Sequence, residues 1–226
     1  NSMEVWGGRT SKAYQGLKEG RRVRLQTPDL AMTESDFKNH IDEVGARYET
    51  SATISYGDEY ISTTISGVYP VHTKINKHDM LYGRFVNELD MREKRKVLVL
   101  SNNQAKELEP RDYSTLLGKY VKVGDFAFKV IGIYKDRQEG QAEAYSSYAA
   151  IKGIYGANND EIGSLEYTFH GLTTEKANED FEKEYRRRLN ANHQVHPEDE
   201  RAFWIWNGYT TSLQMEQGIA IIRTIS

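Results

Sequence analysis

Between Tyr120 and Tyr134 two runs of alternating apolar and polar residues, Tyr120–Val123 and Phe126–Tyr134, are separated only by Gly124-Asp125. A glycine beside an aspartate tolerates the positive φ that a two-residue turn demands, so this pair predicts an antiparallel hairpin. The residues ahead of it predict its surroundings. Val97–Leu100 is short, apolar and rich in valine, which reads as a buried strand. Ser101 or Asn102 can cap a helix over Asn103–Leu108, with Ala105 and Leu108 on one face, and Pro110 stops it. A Leu116-Leu117-Gly118-Lys119 corner leads into the hairpin, and further upstream stand a Gly83-Arg84-Phe85 turn and a charged linker, Glu88–Lys96. No obvious catalytic group falls in the stretch Leu81–Lys135.

Ahead of this stretch, Glu4–Gly20 mixes Gly, Lys and Tyr without a period and reads as a mobile lead-in. Val23–Gln26 follows as a short strand with Val23 and Leu25 on one face, and Arg21-Arg22 reads as solvated charge. Thr33 with Asp36 offers a capping box, and Phe37, Ile41 and Val44 share one helical face until Gly45 ends that helix. Tyr48–Tyr56 and Tyr60–Tyr69 flank Gly57-Asp58 as a second hairpin. Behind the stretch, residues 136–148 lose their period and read as an exposed loop before a short strand, Tyr148–Ile151. Gly153–Gly163 is a Gly/Asn/Asp-rich boundary. Ser164–Phe169 alternates as a strand, and Thr173-Thr174 caps a helix over Glu175–Asn190 whose stripe is Ala177, Phe181, Tyr185 and Leu189. Its Arg186-Arg187-Arg188 run reads as a solvated last turn favoured by the helix dipole. Ala202–Trp206 is a last strand broken by Asn207-Gly208, and Leu213, Ile219, Ile222 and Ile225 give the tail a loosely amphipathic helix, more apolar toward its end.

The order of turn, charged linker, VLVLS strand, small helix, GK corner and FKVIGIY strand resembles the periplasmic core domain of MacB-like ABC transporter permeases, the superfamily that also contains FtsX and the lipoprotein-release permeases. The matching residues are Gly83, Arg84, Phe85, Val97, Val99, Leu100, Gly118, Lys119, Phe128, Val130, Ile131, Gly132 and Ile133. Gly67-Val68-Tyr69-Pro70 stands where the family carries a G-V-x-P closing motif. Two features depart from the family: Asn102-Asn103 replaces a common glycine, and no long apolar segment is present. The resemblance implies structural rather than catalytic roles for Gly83, Arg84, Phe85, Gly118, Lys119 and Gly132.

Composition limits the rival chemistries. Net charge is -3, from 30 basic and 33 acidic residues that are interspersed, so the chain lacks the basic stripe of a nucleic-acid binder. Zero cysteines excludes disulfides, thiol nucleophiles and thiolate metal sites. A hydrophobic share of 38% with 15 tyrosines is too high for a disordered chain. No G-x-S-x-G elbow and neither phosphate-binding glycine loop occurs, so no cofactor is called for, and in the ABC system that the resemblance implies ATP is hydrolysed elsewhere. His193 and His196, with Glu198 and Asp199 nearby, are the candidate metal pair, but they lack the helical HExxH arrangement and read as a solvated loop, as do His72 and His78. No run approaches the ~20 apolar residues of a membrane span and no signal pattern opens the chain; Asn1-Ser2-Met3 reads as a cloning remnant ahead of an excised segment.

The expected fold is α+β: a porter-like split βαβ subdomain from both ends of the chain, 21–80 plus 152–207, and an inserted small β-rich subdomain, 81–151. Residues 1–20 and 208–226 are the expected membrane-proximal lead-in and tail. The resemblance implies a non-enzymatic extracytoplasmic domain, on the periplasmic side of a bacterial inner membrane, that relays ATP-driven motion. Its implied partners are an ABC ATPase subunit or domain, a periplasmic adaptor or other envelope protein, and a second permease copy, with no nucleic acid. The alternatives are a free-standing periplasmic ligand-binding or adaptor protein and a soluble α+β hydrolase.

Overall fold

The computed structural model describes residues 1–137 and 142–225, with side chains in the last helix described as far as Ile219 and again at Ile222. Part of the expected 136–148 loop and the tail residues Ile225 (its side chain) and Ser226 therefore lie outside the described residues. The chain divides into two compact units, 1–44 with 160–226, and 45–159.

In the first unit, β1 (Ser2–Gly7) lies between β9 (Ser164–Phe169) and β10 (Phe203–Asn207), antiparallel to both. The expected mobile lead-in is thus corrected: Met3 and Val5 alternate with Glu4 and Trp6, and this period of two buries the first pair completely. Helix α1 (Thr27–Asp36) begins six residues before the expected capping box, because Pro28 sits in its first turn and the Asp29 carboxylate accepts the Gln26 N–H at 2.8 Å. Thr33 therefore stands inside the helix, where its hydroxyl meets the Tyr185 hydroxyl at 2.8 Å. Phe37 caps the helix end, while Ile41 and Val44 already belong to β2 (Ile41–Tyr56), so Gly45 ends no helix. Val23 and Leu25 are buried in alternation, yet their segment joins its neighbours only by isolated bridges, Arg9 to Arg22 and Gln26 to Glu161. Thr27-Pro28 turns it into α1 before a ladder can form.

Helix α6 (Glu175–Asn192) starts at the expected cap, with Thr174 Oγ1 accepting the Ala177 N–H at 3.1 Å. It buries Asn178, Phe181, Tyr185 and Leu189, so Asn178 rather than Ala177 opens the stripe. Phe37 meets Phe181 and Tyr185 edge-on at 5.6 and 5.2 Å, and Tyr167 meets Tyr185 at 5.4 Å, so an aromatic core joins α1, β9 and α6.

In the second unit, β2 pairs with β3 (Glu59–Val68) across the Gly57-Asp58 turn, where Gly57 holds φ +59. Strand order continues β3, β8 (Ala144–Ser147), β5 (Val97–Ser101), β7 (Phe126–Tyr134), β4 (Met80–Gly83), and β6 (Tyr120–Val123) bridges β7 and the end of β2. β3 with β8 and β5 with β7 are parallel, which makes this a mixed sheet and the protein α+β. All of Val97–Ser101 is buried because Leu98 and Leu100 enter one core with Phe128, Val130 and Leu116, while Val99 enters another with Val68, Tyr134 and Tyr145.

The insert is therefore larger than 81–151. Residues 45–80 join it because the β2–β3 hairpin pairs there with β6 and β8. The expected strand at Tyr148–Ile151 is displaced as well: β8 ends at Ser147, whose hydroxyl accepts the Ala150 N–H at 3.1 Å and so starts helix α5 (Tyr148–Tyr155). Within the charged linker, Asn87 and Asp90 cap each other around a short helix, α3 (Glu88–Arg92). Two further α-helices, α2 (His72–Ile75) and α4 (Asn102–Leu108), belong to this unit.

Candidate functional site

Four of the six motif residues meet at one corner of the second unit. β4 and β7 approach so closely that a β-carbon on Gly83 would lie 2.1 Å from the Ile131 carbonyl, and one on Gly132 would lie 2.1 Å from the Arg84 carbonyl. Gly83 is also at φ +70, which only glycine holds without strain. The Arg84 N–H donates to the Ile131 carbonyl at 3.0 Å, and its guanidinium grips Asp90 with Nη1 to Oδ2 at 2.7 Å and Nη2 to Oδ1 at 3.1 Å. Asp90 is wholly buried; burial opposes its charge, but the bonds from Arg84 and the Asn87 N–H, with Arg84 and Arg95 nearby, outweigh it and hold the carboxyl below its usual range. Sequence reasoning missed Asp90, although the N-x-x-D spacing from Asn87 was a legible signal.

Phe85 leads into a stack of rings. It lies near parallel to His78 at 6.0 Å and to His72 at 6.1 Å, with Tyr145 at 5.2 Å. His78 Nε2 shares a hydrogen bond of 3.2 Å with the Tyr145 hydroxyl. Burial, with smaller contributions from Arg137 and His72, lowers His78 to about 4, and burial likewise pushes the Tyr134 and Tyr145 hydroxyls upward. The sequence reading of His72 and His78 as solvated is thus overturned: His72 is fully buried and His78 is stacked.

Gly118 and Lys119 stand apart from this corner but hang on the same strand. The Gly118 N–H donates to the Val130 carbonyl at 2.8 Å, and the Val130 N–H donates to the Lys119 carbonyl at 2.9 Å. His193 and His196 serve different partners: His193 Nε2 bonds buried Asp29 at 2.6 Å, while His196 Nδ1 accepts the Glu198 N–H at 3.0 Å. Among the described residues no three His, Cys, Asp or Glu side chains gather as a metal site.

The second feature lies at the chain ends. Met3 stands opposite Asn207, and helix α7 (Gly208–Ile225) follows at once. Asn207 fixes this junction. Its Oδ1 accepts the Tyr209 N–H at 2.9 Å, and its Nδ2 donates to Asn178 at 2.9 Å and to Glu182 at 3.3 Å. Burial raises the Glu182 carboxyl, against the opposing pull of Asn207 and Arg186. Met215, Ile219 and Ile222 project from α7 exposed. No described helix is long and apolar enough to cross a membrane. The arrangement offers a clamped corner and a fixed exit.

Comparison with known proteins agrees with that character. The family model described as MacB-like periplasmic core domain matches residues 1–181. The macrolide export ATP-binding/permease protein MacB of Shewanella sp. is 25% identical over 167 residues, which is 70% of this chain and 26% of that protein. MacB of Campylobacter jejuni subsp. jejuni is 29% identical over 134 residues, 59% of this chain and 20% of that one. The chain thus spans about a quarter of the length of the curated relatives it matches. Among solved structures, the periplasmic region of MacB from Actinobacillus actinomycetemcomitans superposes with a TM-score of 0.73 at 19% identity, covering 96% of this chain and 92% of that one. The extracellular domain of the noncanonic ABC-type transporter YknZ from Gram-positive bacteria gives 0.71 at 21% identity, over 92% of this chain and 100% of that one.

Proposed function

The chain belongs to the family of MacB-like periplasmic core domains, and from that premise we propose that it is the extracytoplasmic part of an ABC-type permease of a bacterial inner membrane, relaying ATP-driven motion to a substrate or partner protein. The observation that carries this reading is the placement of Met3 against Asn207. A domain inserted between two neighbouring membrane helices must receive and return the chain at adjacent points, and α7, growing more apolar along its length, leaves from that spot. Nucleotide is hydrolysed on a separate domain or subunit, a second permease copy stands beside this one, and an envelope adaptor is the partner to which movement passes. The six motif glycines and side chains then act as stiffening: Gly83 and Gly132 let two strands close, and Arg84 clamps the turn to α3 through Asp90.

The test places a spin label at exposed Lys176 in the full-length protein in nanodiscs and measures the label-to-label distance between copies. A distribution that shifts between the nucleotide-free and vanadate-trapped states supports the relay. One indifferent to nucleotide while ATP is being hydrolysed overturns it.

A further inference from the structure

All three tryptophans of the chain lie on one exposed face of two neighbouring strands, Trp6 on β1 and Trp204 and Trp206 on β10, with 39%, 54% and 42% of their surface open. Trp6 stands directly across from Trp204. β10 is also the end of its strand order, so among the described residues its second edge is unpaired.

The direction of that edge follows from the ladder. The Phe169 N–H donates to the Asn1 carbonyl, which sets the odd-numbered residues of β1 to bond β9. The even-numbered ones, Glu4 and Trp6, are left to bond their opposites on β10, Trp206 and Trp204, and the Gly8 N–H bond to the Ala202 carbonyl at 2.7 Å has the same parity. The N–H and C=O groups of Phe203, Ile205 and Asn207 therefore point away from β1, toward the open side.

Protein edges of this kind are normally blunted by shortness, bulges, lysine or proline. β4, the edge of the other unit, is blunted so: it has four residues, a register shift between Met80 and Tyr82, and ends in Gly83 at positive φ. β10 is not. All five of its residues, Phe-Trp-Ile-Trp-Asn, hold register with β1 without a bulge. Beside it runs a cleft of about 560 Å³ lined by Lys12, Glu182, Lys183, Arg186, Pro197 and Glu200 among others. Acids and bases are mixed there, which suits a surface that meets its own copy better than a partner of one sign.

We propose that β10 is a self-pairing edge, at which two copies of this chain join antiparallel about a two-fold axis through Ile205. An axis on Ile205 engages all five residues. It makes Ile205 and its counterpart a bonded pair with Cα atoms roughly 5.5 Å apart, and sets each Trp204 against Trp206 of the partner subunit in the closer, non-bonded position, at roughly 4.5 Å. Those cross-strand aromatic pairs extend the Trp6–Trp204 pair into one continuous patch. The only described side chain bonded to the open backbone at Phe203 is Arg186, whose Nη2 reaches the carbonyl at 3.4 Å and is readily displaced or shared. A five-residue edge falls short of the ~1,200 Å² of a standard interface, so pairing between free chains is weak and strengthens when both are held in one membrane. That second copy is part of the function proposed above, on which the physiological role rests; the pairing itself is read on the chain alone.

The chain has no cysteine, so single thiols report position. Ile205→Cys should form a disulfide-linked dimer at least about tenfold faster than Tyr60→Cys, a control on the exposed β3 side chain, because a bonded pair lies within disulfide reach. At roughly 1 mM the unmodified chain should sediment partly as a dimer with blue-shifted tryptophan emission, and at roughly 10 µM as a monomer. Ile205→Pro should abolish both signals, since it removes only an outward N–H, and Trp206→Lys, which leaves the backbone ladder untouched, should do the same if the proline variant does not fold. A chain that stays monomeric at the higher concentration, with both thiols equally slow, overturns the proposal whether or not the permease reading stands.

Discussion

A methyl group at Gly132 has nowhere to go: it would sit 2.1 Å from the Arg84 carbonyl, in backbone that cannot swing aside. Gly132→Ala should therefore destabilise the second unit by about 1–3 kcal/mol through overpacking, read as a lower urea midpoint. Gly118 makes the contrasting case, since its φ of +84 strains any side chain but the space beside it is open, and Gly118→Ala should cost only about 1–2 kcal/mol and leave β4 in place. His78 carries the pH prediction. The unfolded chain takes up a proton near 6.5, and the folded one not until about 4, so its stability is present above 6.5 and is lost as pH falls toward 4. The ring is partly open to water, which reduces the loss to about 1–2 kcal/mol. Arg137, His72 and Asp79 act on it by charge, and the Tyr145 hydroxyl hydrogen-bonds it. Chemical denaturation at pH 4.5 and 7 should show that loss in the native chain and a much flatter profile in His78→Phe, which keeps a stacked ring.

At the scale of elements, the sequence was most legible where one period ran uninterrupted between clear stops. β5, α4, the β6–β7 hairpin, β9 and α6 all fell within a residue or two of expectation, because Gly124, Thr174 and Ser101 mark their ends with side chains or φ values that admit few alternatives. β1 was hidden by its position next to residues read as a remnant. α1 was misplaced because Thr33 and Asp36 satisfy the spacing of a capping box while Pro28 and Asp29 build the helix start that forms. β8 was read as the strand after it because Ser147 both ends the strand and caps α5. The corner at Gly83, Arg84 and Phe85 was legible as a turn, and Asp90 could have been read as a cap from its spacing to Asn87, but that His72 and His78 stack on Phe85 is revealed only by folding. Ser147→Ala should cost about 1 kcal/mol and, in hydrogen exchange, lower protection first at the amides of Tyr148–Ile151. Equal loss across β5 would show that the cap supports more than its own helix.

The whole molecule is a chain within a chain, with 45–159 contiguous and the other unit assembled from both ends. Residues 45–159 hold two apolar clusters of their own, so this segment expressed alone should give a dispersed NMR spectrum with protected β5 and β7 amides; a collapsed spectrum would show that the units fold only together. The matched stretch of the family model ends at 181, yet β10 and α7 complete the first unit, which is why the architecture could not be read from the motif region alone. In the permease reading proposed above, the pairing of Met3 with Asn207 also sets how force enters the fold. Both attachment points sit at the same end of neighbouring antiparallel strands. Drawing them apart opens the ladder like a zipper, one rung at a time, so each bond bears the whole load in turn. Driving both in the same direction leaves the rungs between them unstrained and passes the force to the β1–β9 ladder and the core beneath. In that same permease reading, a domain strung this way yields readily when its two supports diverge and stays stiff when they travel as one, which would make it a transmitter of thrust and a poor spring against splaying.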